Sequence, residues 1–339
     1  MMFKENSLLR LSVAFLQIAS VAAVSPAKLV AQVPWAKFED LAIRSNGNIL
    51  ITQGWPSPTL WELSGAGAEA ATLHTHFELR PTVNALFGIT ETTPDVFAFV
   101  GSIVNRDDVN EAGTAAIWTM DFNKTPTPQP SLVARLPEAV RPDKVASIPQ
   151  NPHIILVADS AVGVVWCVNT ATANVTVGIQ VPEMGASEST GPASGVSGLD
   201  IHDGYVWWTS AARGHSYRIK ISDEGVAAAG AVAEVVRVLP AVRDLTFHPD
   251  DGSAVWVASQ QGRIIAAGPE GKSWWVSGDD MLVGTSALQF GRTEANNRTL
   301  YAVTAEGNVV ALDTTEELKL SSEPQKTAWG EPPVQLELV

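Results

Sequence analysis

The chain contains a single cysteine, Cys167, among its 339 residues. One thiol can form neither an intrachain disulfide nor a metal centre built from several cysteines. The sequence also contains no Gly-x-Ser-x-Gly elbow of a serine nucleophile, no glycine-rich phosphate loop and no acidic calcium loop of the helix-loop-helix type. We therefore expect a fold that is stabilised by its apolar core, and we expect no nucleotide chemistry.

Basic residues are scarce as well. The chain has 22 Lys and Arg against 36 Asp and Glu, which gives a formal net charge of −14. Because this charge repels phosphate backbones and anionic headgroups, we expect no nucleic-acid partner and no membrane-surface partner. After residue 24 no apolar run is long enough to cross a bilayer, so the remaining chain is expected to have no membrane span.

Residues 1–24 differ from the rest of the chain. Lys4 and Arg10 precede an apolar run at residues 11–24, and small residues lie near a plausible cleavage point. This layout is typical of a secretory signal peptide, although a buried N-terminal helix is an alternative. We expect the chain to enter the secretory pathway, where three sequons are candidate glycosylation sites: Asn123, Asn174 and Asn297.

Six copies of a pair of β-type segments fill most of the chain. The first segments of the pairs cover residues 48–52, 96–100, 155–159, 205–209, 254–258 and 300–304. Successive copies lie about 50 residues apart, which is the period of a propeller blade and longer than that of a helical solenoid. An inner-strand candidate precedes each pair, and turn residues join the two. The sequence therefore predicts an all-β fold, a six-bladed β-propeller.

Outer strands can be found for only five of the six blades. The missing one is predicted at the other end of the chain, at residues 28–33. This segment is similar in sequence to residues 131–136, and each of the two segments directly precedes an inner strand. We infer that the N-terminal strand completes the last blade and closes the ring. The predicted organisation is a signal peptide at 1–24, a propeller at 25–322 and a C-terminal tail on the rim at 323–339.

The starts of the six inner strands should converge on one mouth of the central channel. Alignment of these strands on their apolar positions brings a largely polar set to one level: Glu39, Ala85, Asp143, Ser197, Arg243 and Ser286, with Asp40, Lys144, Asp244 and Ala287 beside them. Any one of these residues could simply cap backbone groups, but together they predict a pocket with acid and base capacity. The candidate catalytic residues are Glu39, Asp143, Lys144, Arg243 and Asp244, and the candidate substrate-binding residues are Trp55, Ser197, Gln260, Thr285 and Ser286.

Two histidines alternate along a predicted outer strand. His74 and His76 have a spacing at which both side chains could bind one metal ion. A solvent-facing strand without a metal explains the same spacing, and the sequence favours that interpretation. No metal ligand is assigned from the sequence.

Several segments resemble fungal members of the regucalcin/gluconolactonase superfamily of six-bladed propellers, namely residues 38–47, 87–97, 156–160 and 288–292. The resemblance covers residues 28–313. It implies a divalent metal at the channel mouth, held by a Glu, two Asn and an Asp from four inner strands. Glu39 matches the Glu, but Asp143 and Ser197 stand where Asn is required and Arg243 stands where Asp is required. Since a guanidinium repels a cation, we expect no metal cofactor.

The overall sequence pattern and the altered metal pattern also resemble those of a group of fungal propellers that act as hetero-Diels–Alderases. These join a tropolone-derived quinone methide to a humulene-type sesquiterpene. The resemblance implies a metal-independent pericyclase of secondary metabolism that acts on hydrophobic small molecules. Two alternatives stay open: a metal-dependent lactonase, in which Glu39 and an acidic partner hold calcium or zinc, and a propeller that binds a ligand without catalysis.

Overall fold

The computed structural model describes residues 25–67, 71–105, 110–186, 195–238, 241–250, 252–268 and 273–321. Within these ranges, 24 strands form six antiparallel sheets of four strands each. The predicted six-bladed propeller is therefore confirmed. The predicted signal peptide at 1–24 and the predicted tail at 323–339 lie outside the described residues. In the part of the chain that the structure covers, no helix is long and apolar enough to cross a membrane.

The first three blades use consecutive strands, ordered from the central channel outwards. Blade 1 comprises β2 (Lys37–Ile43), β3 (Ile49–Trp55), β4 (Thr59–Ser64) and β5 (Thr72–Glu78). Blade 2 comprises β6 (Ala85–Glu91), β7 (Val96–Ser102), β8 (Ala116–Asp121) and β9 (Ser131–Arg135). Blade 3 comprises β10 (Pro142–Ile148), β11 (Asn151–Asp159), β12 (Val164–Asn169) and β13 (Asn174–Ile179).

Blades 4 and 5 follow after a short 3₁₀ turn at Pro182–Met184. Blade 4 comprises β14 (Val196–His202), β15 (Tyr205–Ser210), β16 (His215–Lys220) and β17 (Glu234–Val238). Blade 5 comprises β18 (Val242–Phe247), β19 (Val255–Ser259), β20 (Gln261–Ala267) and β21 (Ser273–Val283). Blade 6 comprises β22 (Thr285–Phe290), β23 (Thr299–Thr304), β24 (Asn308–Asp313) and β1 (Ala27–Gln32), and α1 (Thr315–Ser321) follows it.

The N-terminal strand β1 closes the ring, as the sequence predicts. It pairs antiparallel with β24, with Ala27 opposite Leu312 and Gln32 opposite Asn308. The hydroxyl of Ser25, just before β1, donates to the carbonyl oxygen of Asp313 at 2.6 Å. Because β1 pairs with β24, it gives blade 6 its fourth, outer strand and covers the edge that β24 would otherwise expose.

Apolar side chains fill the spaces between neighbouring blades. One cluster, for example, joins Leu156 and Val165 of blade 3 to Trp208 and Tyr217 of blade 4. Trp207, Trp208 and Trp256 are among the largest fully buried side chains. Packing of each blade against the next therefore supplies the apolar core. This core is what stabilises a chain that cannot form an intrachain disulfide.

Every inner strand carries a register shift near its start. The shifts lie between Phe38 and Asp40, Leu86 and Ile89, Pro142 and Val145, Val196 and Leu199, Val242 and Asp244, and Thr285 and Ala287. A β-bulge inserts one extra residue and redirects side chains, and bulges are common beside active sites. Five of these bulges carry residues that were predicted to lie at the channel mouth, namely Glu39, Asp143, Ser197, Arg243 and Ser286.

The structure corrects the predicted alignment of blade 2. Ile89 pairs with Phe99 at the position where Leu41 pairs with Ile51, so Phe87, and not Ala85, is the counterpart of Glu39. Phe87 is buried in the apolar cluster between blades 2 and 3. The prediction was wrong because the strands were aligned on their apolar positions. In such an alignment, an apolar residue at a bulge cannot be distinguished from a regular strand residue.

Candidate active site

Three of the predicted catalytic side chains meet at the channel mouth. Glu39, Asp143 and Arg243 occupy the bulges of blades 1, 3 and 5. Arg243 Nη1 lies 3.8 Å from Asp143 Oδ2. Arg243 is also close enough to Glu39 to act on its ionisation. The structure thus brings these three residues close together, and their catalytic role stays a prediction.

Glu39 is held in a small, largely dry space. Its side chain is 6% exposed and its Oε1 lies 3.0 Å from Lys37 Nζ. A Cβ atom on Gly54 would lie 2.6 Å from the same oxygen, so a larger residue at position 54 would displace the carboxyl group from its present position. Burial raises the pKa of Glu39, although Lys37 and Arg243 act in the opposite direction. A carboxyl group with a raised pKa is suited to donate a proton.

Two guanidinium groups lie close to the carboxylate of Asp143. Besides Arg243, Arg141 approaches it, with Nε 3.9 Å from Oδ1. Asp143 Oδ2 accepts no hydrogen bond from the residues that the structure describes. The sequence analysis missed Lys37 and Arg141, each two positions before a predicted acid. Both lie beside a register shift, where side-chain direction does not follow the strand period, so the sequence pattern carried no clear signal for them.

A second layer of charge lies directly below the mouth. Lys144 Nζ lies 2.9 Å from Asp244 Oδ2 and also contacts Asp40 Oδ1. Blades 2 and 4 place Gly88 and Gly198 at the same level, where a Cβ atom would lie 2.5 Å from Val145 N and 2.7 Å from Asp244 Cα respectively. With Ala287 of blade 6, which is fully buried, three charged side chains, two glycines and one alanine thus occupy this level of the channel.

The two carboxylates of this layer also bind the neighbouring blades. Asp40 Oδ2 accepts from Ile89 N at 2.9 Å, and Asp244 Oδ2 accepts from Leu288 N at 3.0 Å. Burial opposes the charge on Lys144, but Asp244 and Asp40 outweigh it and raise its pKa. Lys144 and Asp244, both predicted to be catalytic, therefore lie in an ion cluster whose ion pairs and hydrogen bonds join five of the six blades.

The predicted hydroxyl-bearing residues are engaged within the wall. Ser197 Oγ lies 3.3 Å from the carbonyl oxygen of Arg243, and Ser286 Oγ lies 2.7 Å from that of Phe38. Thr285 Oγ1 donates to the carbonyl oxygen of Leu282 at 2.5 Å. The serines link adjacent blades at the level of the mouth. Their hydroxyls are therefore engaged with backbone oxygens in this structure.

Exposed aromatic side chains stand beside the charged group. Trp55 ends β3 and is 59% exposed, and Trp35, just before β2, is 84% exposed. Trp55 lies opposite Lys37 in the register of β2 and β3. Gln260 is exposed between β19 and β20. Large exposed apolar side chains next to a polar cleft are typical of a binding surface, and Trp35 is an addition to the predicted set.

A cavity of about 360 Å³ lies below the ion cluster, on the side away from the mouth. Asp40, Lys144 and Asp244 line it, whereas Glu39, Asp143 and Arg243 do not. Further down, the lining includes Thr90, Asp200, Thr246 and Gln289, and the cavity extends towards Glu91 and Arg292. The ion cluster therefore separates the mouth from a second space that the sequence analysis did not predict.

Asp200 lines this cavity from blade 4, as does the ionisable His202 at the end of the same strand. Asp200 lies two residues after Gly198 on β14, and Ile201 N donates to its Oδ1 at 2.7 Å. Burial raises the pKa of Asp200 to about 7. Side chains two residues apart on a strand lie on the same side, so Asp200 is expected on the channel side that Gly198 occupies. This is the sequence signal that was overlooked.

Asp200→Asn is expected to change how stability depends on pH. Because the folded-state pKa of Asp200 is raised, its contribution to stability is present below the unfolded-state pKa and is lost as pH rises through about 7. Between pH 5.5 and pH 8 the variant should therefore gain about 1–2 kcal/mol in the free energy of unfolding relative to wild type.

Urea denaturation at the two pH values measures this gain. Asp203→Asn is the matched control, because Asp203 lies in the adjoining turn with its side chain 81% exposed. Equal differences for both variants would show that Asp200 does not carry an unusual proton affinity.

The mouth does not fit the divalent-metal site that the family resemblance implies. Calcium requires six to eight oxygen ligands. At the level of the mouth, Glu39 and Asp143 are the available carboxylates, the hydroxyls of Ser197 and Ser286 contact backbone oxygens, and Arg243 adds a fixed positive charge. The donor set thus favours binding of an anionic or carbonyl oxygen over binding of a cation.

The fold is a six-bladed β-propeller whose channel mouth carries charged side chains. The solved structure of regucalcin, a calcium-binding protein from Agrobacterium tumefaciens, superposes with a TM-score of 0.59 at 14% identity, covering 86% of this chain and 95% of that chain. At this identity the likeness shows the fold alone. No family model matches the sequence.

In sequence, the chain is similar to two proteins that carry the name "Putative hetero-Diels-Alderase". The protein from Phoma sp is 28% identical over 299 residues, which cover 81% of this chain and 84% of the relative. The protein from Sarocladium schorii is 25% identical over 322 residues, which cover 82% of this chain and 80% of the relative. The resemblance that the sequence analysis stated is therefore confirmed.

Proposed function

We propose that this protein is a pericyclase, a hetero-Diels–Alderase that couples a tropolone-type quinone methide to a humulene-type sesquiterpene without a metal at the channel mouth. The observation that carries the proposal is the group of Glu39, Asp143 and Arg243, which lies where the family resemblance implies a metal cage. The two similar proteins support the reaction class through their names.

Glu39 is the general acid in this mechanism. The precursor is a tropolone that bears a hydroxymethyl group. As the carbon–oxygen bond breaks, the Glu39 proton passes to the departing hydroxyl, which leaves as water, and the proton of the ring hydroxyl restores the acid. The product is a neutral quinone methide. Burial favours the protonated acid by raising the pKa of Glu39.

Arg243 binds and polarises the tropolone oxygens. Its guanidinium is held at the mouth by Asp143, 3.8 Å away, and is charged at every working pH. A fixed positive charge at the ring oxygens stabilises the electron density that accumulates there when the heterodiene reacts. Asp143 is a positioning residue in this account, since it acts through the guanidinium.

The aromatic side chains bind the alkene partner. Trp55 and Trp35 are exposed on the face that carries the mouth, and a sesquiterpene offers only apolar surface to them. The cycloaddition forms one carbon–carbon and one carbon–oxygen bond and moves no proton. Its acceleration therefore depends on holding the two reactants in a reactive orientation.

The test is to incubate the purified protein with a hydroxymethyl tropolone and humulene, and separately with a panel of aldonolactones. We expect protein-dependent formation of one cycloadduct stereoisomer and no lactone hydrolysis. Lactone hydrolysis without cycloadduct would contradict the proposal and favour a lactonase. Binding of the tropolone without turnover of either substrate would favour a binding propeller.

A further inference from the structure

A second cluster of possible ligands lies on the outer strands of blade 1. Glu62 is on β4, and His74 and His76 are on β5. Glu62 and His74 are direct partners in the strand register, and His76, which lies at a register shift of the same strand pair, contacts the same Glu62 carboxylate. The sequence analysis considered the two histidines but did not identify Glu62, because the pairing of β4 with β5 brings it to them.

The three ligand atoms face one another. Glu62 Oε2 lies 3.5 Å from His74 Nε2 and is also in contact with His76 Nε2. All three atoms lie within 4.8 Å of one another. Ligands about 2.0–2.2 Å from a tetrahedral zinc ion are a little over 3 Å apart, so small rotations of the rings would suffice to accommodate the ion.

Neighbouring residues fix the orientation of the carboxylate. Glu62 is 3% exposed, and its Oε1 accepts from Arg44 Nη1 at 2.9 Å and from Asn48 Nδ2 at 2.6 Å. Oε2 is therefore directed at the histidines. The ring of His76 packs edge-on against Phe122 at a centroid distance of 5.2 Å. Outer contacts of this kind position the ligands of metal sites.

We propose that Glu62, His74 and His76 bind a divalent transition metal ion of the zinc class. Two imidazole nitrogens and one carboxylate oxygen suit zinc, nickel or copper better than calcium or magnesium, which prefer oxygen ligands. The side chain of His74 is 48% exposed, so a fourth position faces solvent and can hold water.

This site is separate from the channel mouth. Its ligands belong to the two outer strands of blade 1, whereas Glu39 and its partners lie on inner strands. A metal found in the purified protein would therefore not by itself identify a catalytic metal. The inference does not depend on the proposed function.

Zinc binding by full-length protein without a polyhistidine tag tests the proposal. The protein is first freed of metal with a chelator and then titrated with zinc by calorimetry at pH 7.5. We expect one equivalent to bind, with an accompanying rise in the melting temperature. His74→Ala should weaken binding by at least about tenfold. This variant is suitable because His74 is the most exposed of the three ligands, which protects folding.

His153→Ala is the matched control, because His153 is an exposed histidine on β11 of blade 3, away from this cluster. It should bind zinc as wild type does. Asn48→Ala, which removes one support of Glu62, should weaken binding by about 10- to 100-fold. Failure of wild type to bind zinc, or equal binding by wild type and His74→Ala, would overturn the proposal, as would a preference for calcium in the same titration.

Discussion

Glu39→Gln is expected to lower the rate of cycloadduct formation by about 10²- to 10⁴-fold, which is the usual contribution of a positioned general acid. Glutamine has the same shape as glutamate, so the space beside Gly54 stays filled, but its amide cannot protonate the departing hydroxyl. The loss should therefore appear in the rate, with little change in the free energy of unfolding. Quantification of product by chromatography measures it.

The pH profile separates an acid from a purely structural residue. Because Glu39 must be protonated to act, the wild-type rate should fall as pH rises through the raised pKa of Glu39. Glu39→Gln should lack this descending limb. When the quinone methide is generated chemically in the assay, the acid step is bypassed and the deficit of the variant should shrink.

Asp200→Asn is the matched control for the location of the reaction. Asp200 is also an acid whose pKa is raised by burial, but it lies below the ion cluster, in the channel cavity. We expect this variant to keep the wild-type rate. A large loss of rate in Asp200→Asn together with a normal rate in Glu39→Gln would move the reaction from the mouth to the channel.

Lys144→Met is expected to lower the free energy of unfolding by about 3–5 kcal/mol, since it leaves buried carboxylates without their counter-ion. Lys144 is 8% exposed, Asp40 3% and Asp244 1%, so water cannot readily replace the lost ammonium group. Each carboxylate also accepts a backbone N–H of the next blade, so the loss should extend beyond blade 3. Urea denaturation measures the change.

Two comparisons identify the cause of that loss. Lys220→Met removes an exposed lysine from β16 and should change stability by less than about 1 kcal/mol. Lys144→Met combined with Asp40→Asn and Asp244→Asn removes all three charges and should recover most of the stability. If Lys144→Met alone is as stable as wild type, the ion cluster does not hold the blades together.

Much of the fold could be predicted because a propeller repeats its own pattern. Six copies of one strand pair gave the number of blades, and the likeness of residues 28–33 to residues 131–136 located the closing strand, which the structure finds at β1. These inferences rely on local strand patterns and on the need to pair the backbone hydrogen-bonding groups of every edge strand. Neither depends on the conformation of a single side chain.

The site was less accessible from the sequence because bulges decide which side chains reach the mouth. Glu39, Asp143 and Arg243 were predicted because their charge stands out at the start of an inner strand. Phe87 was missed for the opposite reason, since an apolar residue at a bulge looks like any other strand residue.

Contacts between distant blades were also beyond sequence reasoning. Lys144 and Asp40 are 104 positions apart in the chain, and only the closed ring brings them together. The partnership of Glu62 with His74 and His76 likewise follows from strand register, which is sensitive to a slip of one residue.

The most direct test of the proposed function is the rate and stereochemistry of cycloadduct formation by wild-type protein after exhaustive treatment with a chelator. The charged group of Glu39, Asp143 and Arg243 contains the acid and the positive charge that the reaction requires, so we expect the rate and the stereoisomer excess to be unchanged. Loss of the cycloadduct on chelation, with recovery when calcium or zinc is added back, would contradict the account.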